Sequence, residues 1–159
     1  MDTMNNLFKS ALFPLLLLSS TYALASGPEL NRNLPFENAN REVVIKFYEL
    51  FFNEHNVAEA SELVSDNYRQ HNPHVPDGKK PFVEFFSDFF KHNPQSHARI
   101  VRSATDGDLV WLHVHSTNGE KDRGRSVVDI FKVKNGKITE HWDVIQNVPE
   151  KAANDNTMF

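Results

Sequence analysis

The chain has 159 residues, 40% hydrophobic and 24% charged, the balance of one soluble globular domain. A net charge of −4 leaves no broad basic field, which excludes nucleic acid as a partner and argues against an anionic membrane surface. The absence of cysteine excludes disulfides and thiolate chemistry, so stability has to come from packing.

Lys9, the apolar stretch 11–18 and Ala23-Leu24-Ala25 read as a secretory signal peptide over 1–25, cut after Ala25. That predicts an exported protein, periplasmic or secreted. The apolar stretch is too short to span a bilayer, so no membrane association is expected once it is removed. Residues 26–39 read as a loose leader, rich in Pro, Asn and Gly. Asn40 then caps a predicted helix over 41–53, whose buried stripe is Val44, Phe47, Tyr48 and Phe51. A shorter helix is predicted over 57–64.

The stretch Tyr68-Arg69-Gln70-His71-Asn72-Pro73 is too short and polar for a core helix, and its proline stops one, so it reads as an edge strand or extended turn. Pro76-Asp77-Gly78 is turn chemistry. From about Lys80 a third helix carries Phe82, Phe85, Phe86, Phe89 and Phe90 at the spacing of one apolar face. Four strands follow, over 97–104, 109–117, 126–134 and 137–146, separated by Gly-containing turns. Helices followed by a meander give an α+β domain over 40–149, with helices on one face of a curved sheet and a frayed tail over 150–159.

Candidate chemistry gathers in the last three strands. Alternation puts Trp111, His113 and His115 on one face, away from Val110, Leu112 and Val114. On the next strand Asp129 shares a face with Val127, Phe131 and Val133. A carboxylate in an apolar row has to be paired, hydrogen-bonded or neutralised, and each outcome suits acid/base catalysis. The last strand offers two opposite faces, Ile138, Trp142 and Val144 or His141, Asp143 and Ile145, and hydrophobicity alone would bury the Trp face.

The strings Tyr68-Arg69-Gln70-His71-Asn72-Pro73, His113-x-His115, Val128-Asp129-Ile130-Phe131 and Gly136-Lys137-Ile138-x-Glu140-His141-Trp142-Asp143-Val144 together resemble the SnoaL-like polyketide cyclases of the nuclear-transport-factor-2-like superfamily. The resemblance runs from about Arg41 to Val148. It implies a cone of three helices on a strongly curved, mostly antiparallel sheet around a pocket, often in homodimers. It also implies aldol-type or isomerase acid/base chemistry on a small carbonyl compound without metal or organic cofactor.

By motif position the acid/base pair would be Asp129 and His115, with His71 at the pocket mouth as a further base and His141 and Asp143 facing inward. Tyr48, Gln70, Phe86, Trp111, His113, Phe131 and Asp143 would line the substrate pocket. Two other readings use the same residues: a non-catalytic binder of a small hydrophobic ligand, and a metal site drawn from His71, His113, His115, His141 and Asp129. No Gly-rich phosphate loop or G-x-S-x-G elbow supports another catalytic class.

Overall fold

The computed structural model describes residues 32–159, so the expected signal peptide and the first part of the leader, 26–31, lie outside the described residues. Helix α1 spans Leu34–Tyr48 and begins earlier than the sequence pattern predicts. Its cap is Asn33, whose side chain accepts from the Phe36 N–H at 3.2 Å, while Asn40 is a buried residue inside the helix. Pro35 in the first turn costs nothing because the first N–H groups of a helix have no intrahelical partner.

Val44, Phe47 and Tyr48 form the expected stripe, and a π-helical turn over Glu49–Asn53 extends it by rotating both Leu50 and Phe51 inward. Helix α2 is shorter than expected, Val57–Ser61, capped by the Asn56 side chain. The chain turns extended at Val64, because Val64, Tyr68 and Gln70 are needed on the inner face of strand β1, Val64–Gln70. Helix α3 occupies Lys79–His92 as predicted, with Phe82 and Phe90 buried and Phe86 and Phe89 packed against the core.

Strands β2 (Ser96–Asp106), β3 (Leu109–Asn118), β4 (Arg125–Lys134) and β5 (Lys137–Asn147) form the expected antiparallel meander. Strand β1 adds to its far edge parallel to β5, so the sheet order is β1-β5-β4-β3-β2. This is the α+β cone: helices cover one face of a curved sheet.

Two bulges set which side chains look inward. Val101 is the extra residue in β2, between the pairs Ile100–Val114 and Arg102–His113. Thr139 is the extra residue in β5, between Val133–Ile138 and Lys132–Glu140. The second bulge flips the strand's alternation at Thr139, so Ile138 and His141 are both buried on the inner face although they are three residues apart. Trp142 and Val144 turn outward, and Val144 is 71% exposed.

The inner face therefore carries Val110, Leu112 and Val114 from β3, Val127, Asp129, Phe131 and Val133 from β4, and Ile138 and His141 from β5. Among the described residues, no helix is long and apolar enough to cross a membrane. The last residues fold back onto the outer face of β3, where the Phe159 ring stacks on His115 at 4.1 Å, in place of the expected frayed tail.

Candidate active site

Four elements, α1, β1, β4 and β5, place a polar cluster at one end of an aromatic chamber. Asp129, at 4% exposure, sits between an α1 residue and a β5 residue: the Tyr48 hydroxyl donates to Oδ2 at 2.7 Å, and His141 Nε2 meets Oδ1 at 2.8 Å. His141 Nδ1 lies 3.0 Å from Gln70 Oε1, which also accepts the Asn72 backbone N–H at 2.9 Å. Gln70 Nε2 donates to the Tyr68 hydroxyl at 2.9 Å.

These bonds fix the ring. The Asn72 N–H identifies the acceptor end of Gln70, so His141 Nδ1 has to be the donor facing it. A single proton then occupies the contact between His141 Nε2 and Asp129 Oδ1.

Asp143 is the cross-strand neighbour of Asp129, on the same inner face. Both of its oxygens accept from Asn72 Nδ2, at 2.9 and 2.6 Å. Like charges directly opposite one another destabilise a sheet. Here the imidazole of His141 and the amide of Asn72 stand beside the two carboxylates.

Burial pushes the Tyr48 phenol well above its usual pKa, and the Asp129 carboxylate pushes it further the same way. Burial likewise raises Tyr68, followed by the fields of Asp129 and Asp143. Both tyrosines are thereby kept as neutral hydroxyl donors.

The rest of the chamber, about 360 Å³ in volume, is walled by Phe47, Phe52, Phe86 and Phe89 from the helices and Phe131 from β4. Its far rim is polar, with Asn118, Asp122 and Arg125. Apolar walls with a few convergent polar groups are the usual form of a small-molecule site.

Several expected site residues meet here: Asp129, His141, Tyr48, Gln70, Phe86, Phe131 and Asp143 all line the chamber. Four do not. Trp111, His113 and His115 alternate as predicted, but the Val110–Leu112–Val114 face packs inward, leaving the two histidines on the outer face. There His113 Nε2 meets Ser126 Oγ at 2.9 Å and His115 Nε2 meets the Arg123 carbonyl at 2.9 Å. His71 is also outside the chamber, stacked on Trp142 at 4.4 Å with its Nε2 3.2 Å from Glu140.

The imidazole at the centre is therefore His141 and not His115. His74 and His97 also line the chamber. Sequence reasoning missed Tyr68 and Asn72, although both share parity with Gln70, which was the available signal.

A metal drawn from the outer histidines has no geometric basis, because His71, His113 and His115 do not approach Asp129. Asp129, His141 and Asp143 do place ligand atoms within 4.8 Å of one another. Both ring nitrogens of His141 are already hydrogen-bonded, so an ion taking the imidazole as a ligand would have to displace one of those bonds.

The SnoaL-like domain family model matches residues 44–141, and the chain belongs to that family. No functionally curated protein matches. Among solved structures, the chain is similar to a candidate ketosteroid isomerase from Kribbella flavida, at 18% identity over 74% of this chain and 85% of that one, with a TM-score of 0.61. It is also similar to a candidate polyketide cyclase from Bacillus cereus, at 25% identity over 67% and 74%, TM-score 0.54. A third similar structure is a SnoaL-like protein of unknown function from Burkholderia thailandensis, at 11% identity over 70% and 97%, TM-score 0.61. The nuclear-transport-factor-2-like cone expected from the strings is thus the fold of this chain.

Proposed function

We propose that the chamber carries out cofactor-independent acid/base chemistry on a small apolar carbonyl compound, of the aldol-condensation, cyclisation or isomerisation type. The observation that carries this reading is the placement of Asp129 and Asp143 side by side at the polar end of an aromatic chamber. Asp129 is fixed on both oxygens, whereas Asp143 meets only one amide.

The two carboxyl groups take different roles. Asp143, half-buried and with acceptor capacity left on its oxygens, receives the proton α to the carbonyl. The C–H bond breaks, an O–H bond forms on Asp143, the freed pair becomes the C=C bond, and the carbonyl π pair moves onto oxygen. The Asp129–His141 pair, with one proton between its members, is the group that hands a proton back. The negative charge only moves from Asp143 to the substrate oxygen, so the chamber never gains net charge during the step.

The test is a panel of enolisable apolar ketones and 1,3-dicarbonyls incubated with the protein and followed by mass spectrometry. Conversion of a panel member supports the reading. Capture of members with none converted would reduce the chamber to a binding site.

Trp111 pairs with Ile130 and Ile130 with Trp142, while Val128 pairs with Val144, making an apolar band across the outer face of three strands. We propose this band as the homodimer face, since soluble monomers rarely expose contiguous apolar patches of this kind. Light scattering is expected to give twice the chain mass, and Val144→Lys to return it to one; a monomeric wild type would overturn the assignment.

A further inference from the structure

Tyr68 stands beside the acid/base groups without a role in the reading above. It is 5% exposed, lines the chamber, and its ring packs on Phe82 at 5.2 Å. Its hydroxyl oxygen accepts from Gln70 Nε2 at 2.9 Å. The proton on that hydroxyl has nowhere to go among the described residues. Gln70 presents its nitrogen, because its oxygen is occupied by the Asn72 N–H and His141 Nδ1.

Asp129 and Asp143 are near enough for their charges to act on the phenol, yet the hydrogen bond to Asp129 comes from Tyr48 and those to Asp143 from Asn72. A buried donor left without an acceptor is costly, which is why such groups are nearly always satisfied. The acceptor has to enter the chamber.

We propose that Tyr68 is the oxyanion donor of the site: its hydroxyl binds the oxygen of an enolisable carbonyl compound and holds it as charge builds there. This rests on the acid/base reading and adds a pole to it. Tyr48 is committed to Asp129, and Gln70 is committed to orienting both His141 and Tyr68, so Tyr68 is the hydroxyl left free for a ligand. With one lone pair held by Gln70, the O–H direction is restricted, which is the preorganisation that makes a donor effective at a developing oxyanion. The charge leaving Asp143 as it takes the α-proton becomes the charge on the oxygen facing Tyr68. The ligand class that follows is a compound with an ionisable oxygen on an apolar body: an enol, an enolised ketone or a phenol.

The probes are 4-nitrophenol, whose ionised oxygen imitates the enolate and shows by its visible absorbance, and 4-nitroanisole, the same body with that oxygen blocked. Wild type is expected to prefer the nitrophenol and to hold it as phenolate. Tyr68→Phe should weaken nitrophenol binding about tenfold to a hundredfold, the value of a hydrogen bond to a charged oxygen, and leave nitroanisole binding within about twofold. Equal loss of both probes would mean that Tyr68 only shapes the wall. No preference for nitrophenol in wild type would mean that the hydroxyl faces water alone. Either result overturns the assignment.

If Tyr68→Phe does not fold, protein carrying 3-fluorotyrosine gives the same answer. The chain has only three tyrosines, and Tyr48→Phe removes one of the two chamber signals. The Tyr68 fluorine resonance should then move with nitrophenol and not with nitroanisole, and equal response to both would overturn the proposal. Neither readout needs turnover. Loss of nitrophenol preference in a protein that still converts ketones removes Tyr68 alone, while intact preference without conversion removes the acid/base reading.

Discussion

Asp129→Asn is expected to fold with nearly unchanged stability and to lose about 10² to 10⁴ of the turnover of any ketone the wild type converts. The first half follows from the hydrogen bonds. An asparagine carbonyl can still accept from Tyr48, now at 2.7 Å from Oδ2, and its amide N–H can donate to His141 Nε2, now at 2.8 Å from Oδ1. Because Nδ1 already gives its proton to Gln70, a neutral His141 offers the lone pair that this amide needs. No buried group loses its partner, which is the condition for a small stability change.

The second half follows from the proton. The contact between positions 129 and 141 can no longer pass a proton from a carboxyl group, so the pair cannot return one to substrate. Turnover measured beside a thermal melt separates the two effects. An unchanged rate on a converted substrate would remove Asp129 from the mechanism.

The other large effect belongs to the wall behind the chamber. Phe51 is fully buried, and its ring meets Phe47 at 4.9 Å, Phe82 at 5.0 Å and Phe90 at 5.6 Å, joining the π-helical turn to α3. Phe51→Ala is expected to cost about 3–5 kcal/mol, the range for truncating a buried phenylalanine whose surroundings cannot collapse. Total stabilities of such domains are about 5–15 kcal/mol, so this is a large share. Phe51 does not line the chamber, so the loss should appear as a lower denaturant midpoint with ligand affinity retained while the protein is folded. A midpoint shift equivalent to less than about 1 kcal/mol would show that the aromatic cluster is looser than its ring contacts imply.

Much of this arrangement was legible in the sequence. The aromatic stripes of α1 and α3 follow the helical period, and Asp129 stands out because it interrupts a row that otherwise reads as core. The alternation of β3 was also legible, but alternation does not say which face looks inward. Two histidines beside a tryptophan looked like a site, while three aliphatic residues on the opposite face were the better guide to burial, since burying them needs no polar partner.

The last strand misled for a different reason. Thr139 forms a bulge, and no residue pattern announces it, so period-two counting set Ile138 against His141 when both face inward. The resemblance settled that strand correctly by implying that His141 and Asp143 point into the pocket. It misplaced His71, whose neighbours Gln70 and Asn72 take the inward positions on either side. The start of α1 was hidden because Asn33-Leu34-Pro35 reads equally as a leader or as a cap with proline in the first turn.

The central claim is that Asp143 takes a proton from carbon while Asp129 and His141 hold the proton that is given back. Its most direct measurement is exchange of the α-hydrogens of apolar ketones in D₂O, followed by proton NMR, with wild type, with Asp143→Asn and without protein. Wild type is expected to speed loss of the α-proton signal of a ketone that fits the chamber, and Asp143→Asn to return the rate to the protein-free value. Exchange by Asp143→Asn as fast as by wild type, or no acceleration of any ketone that is shown to bind, would contradict it.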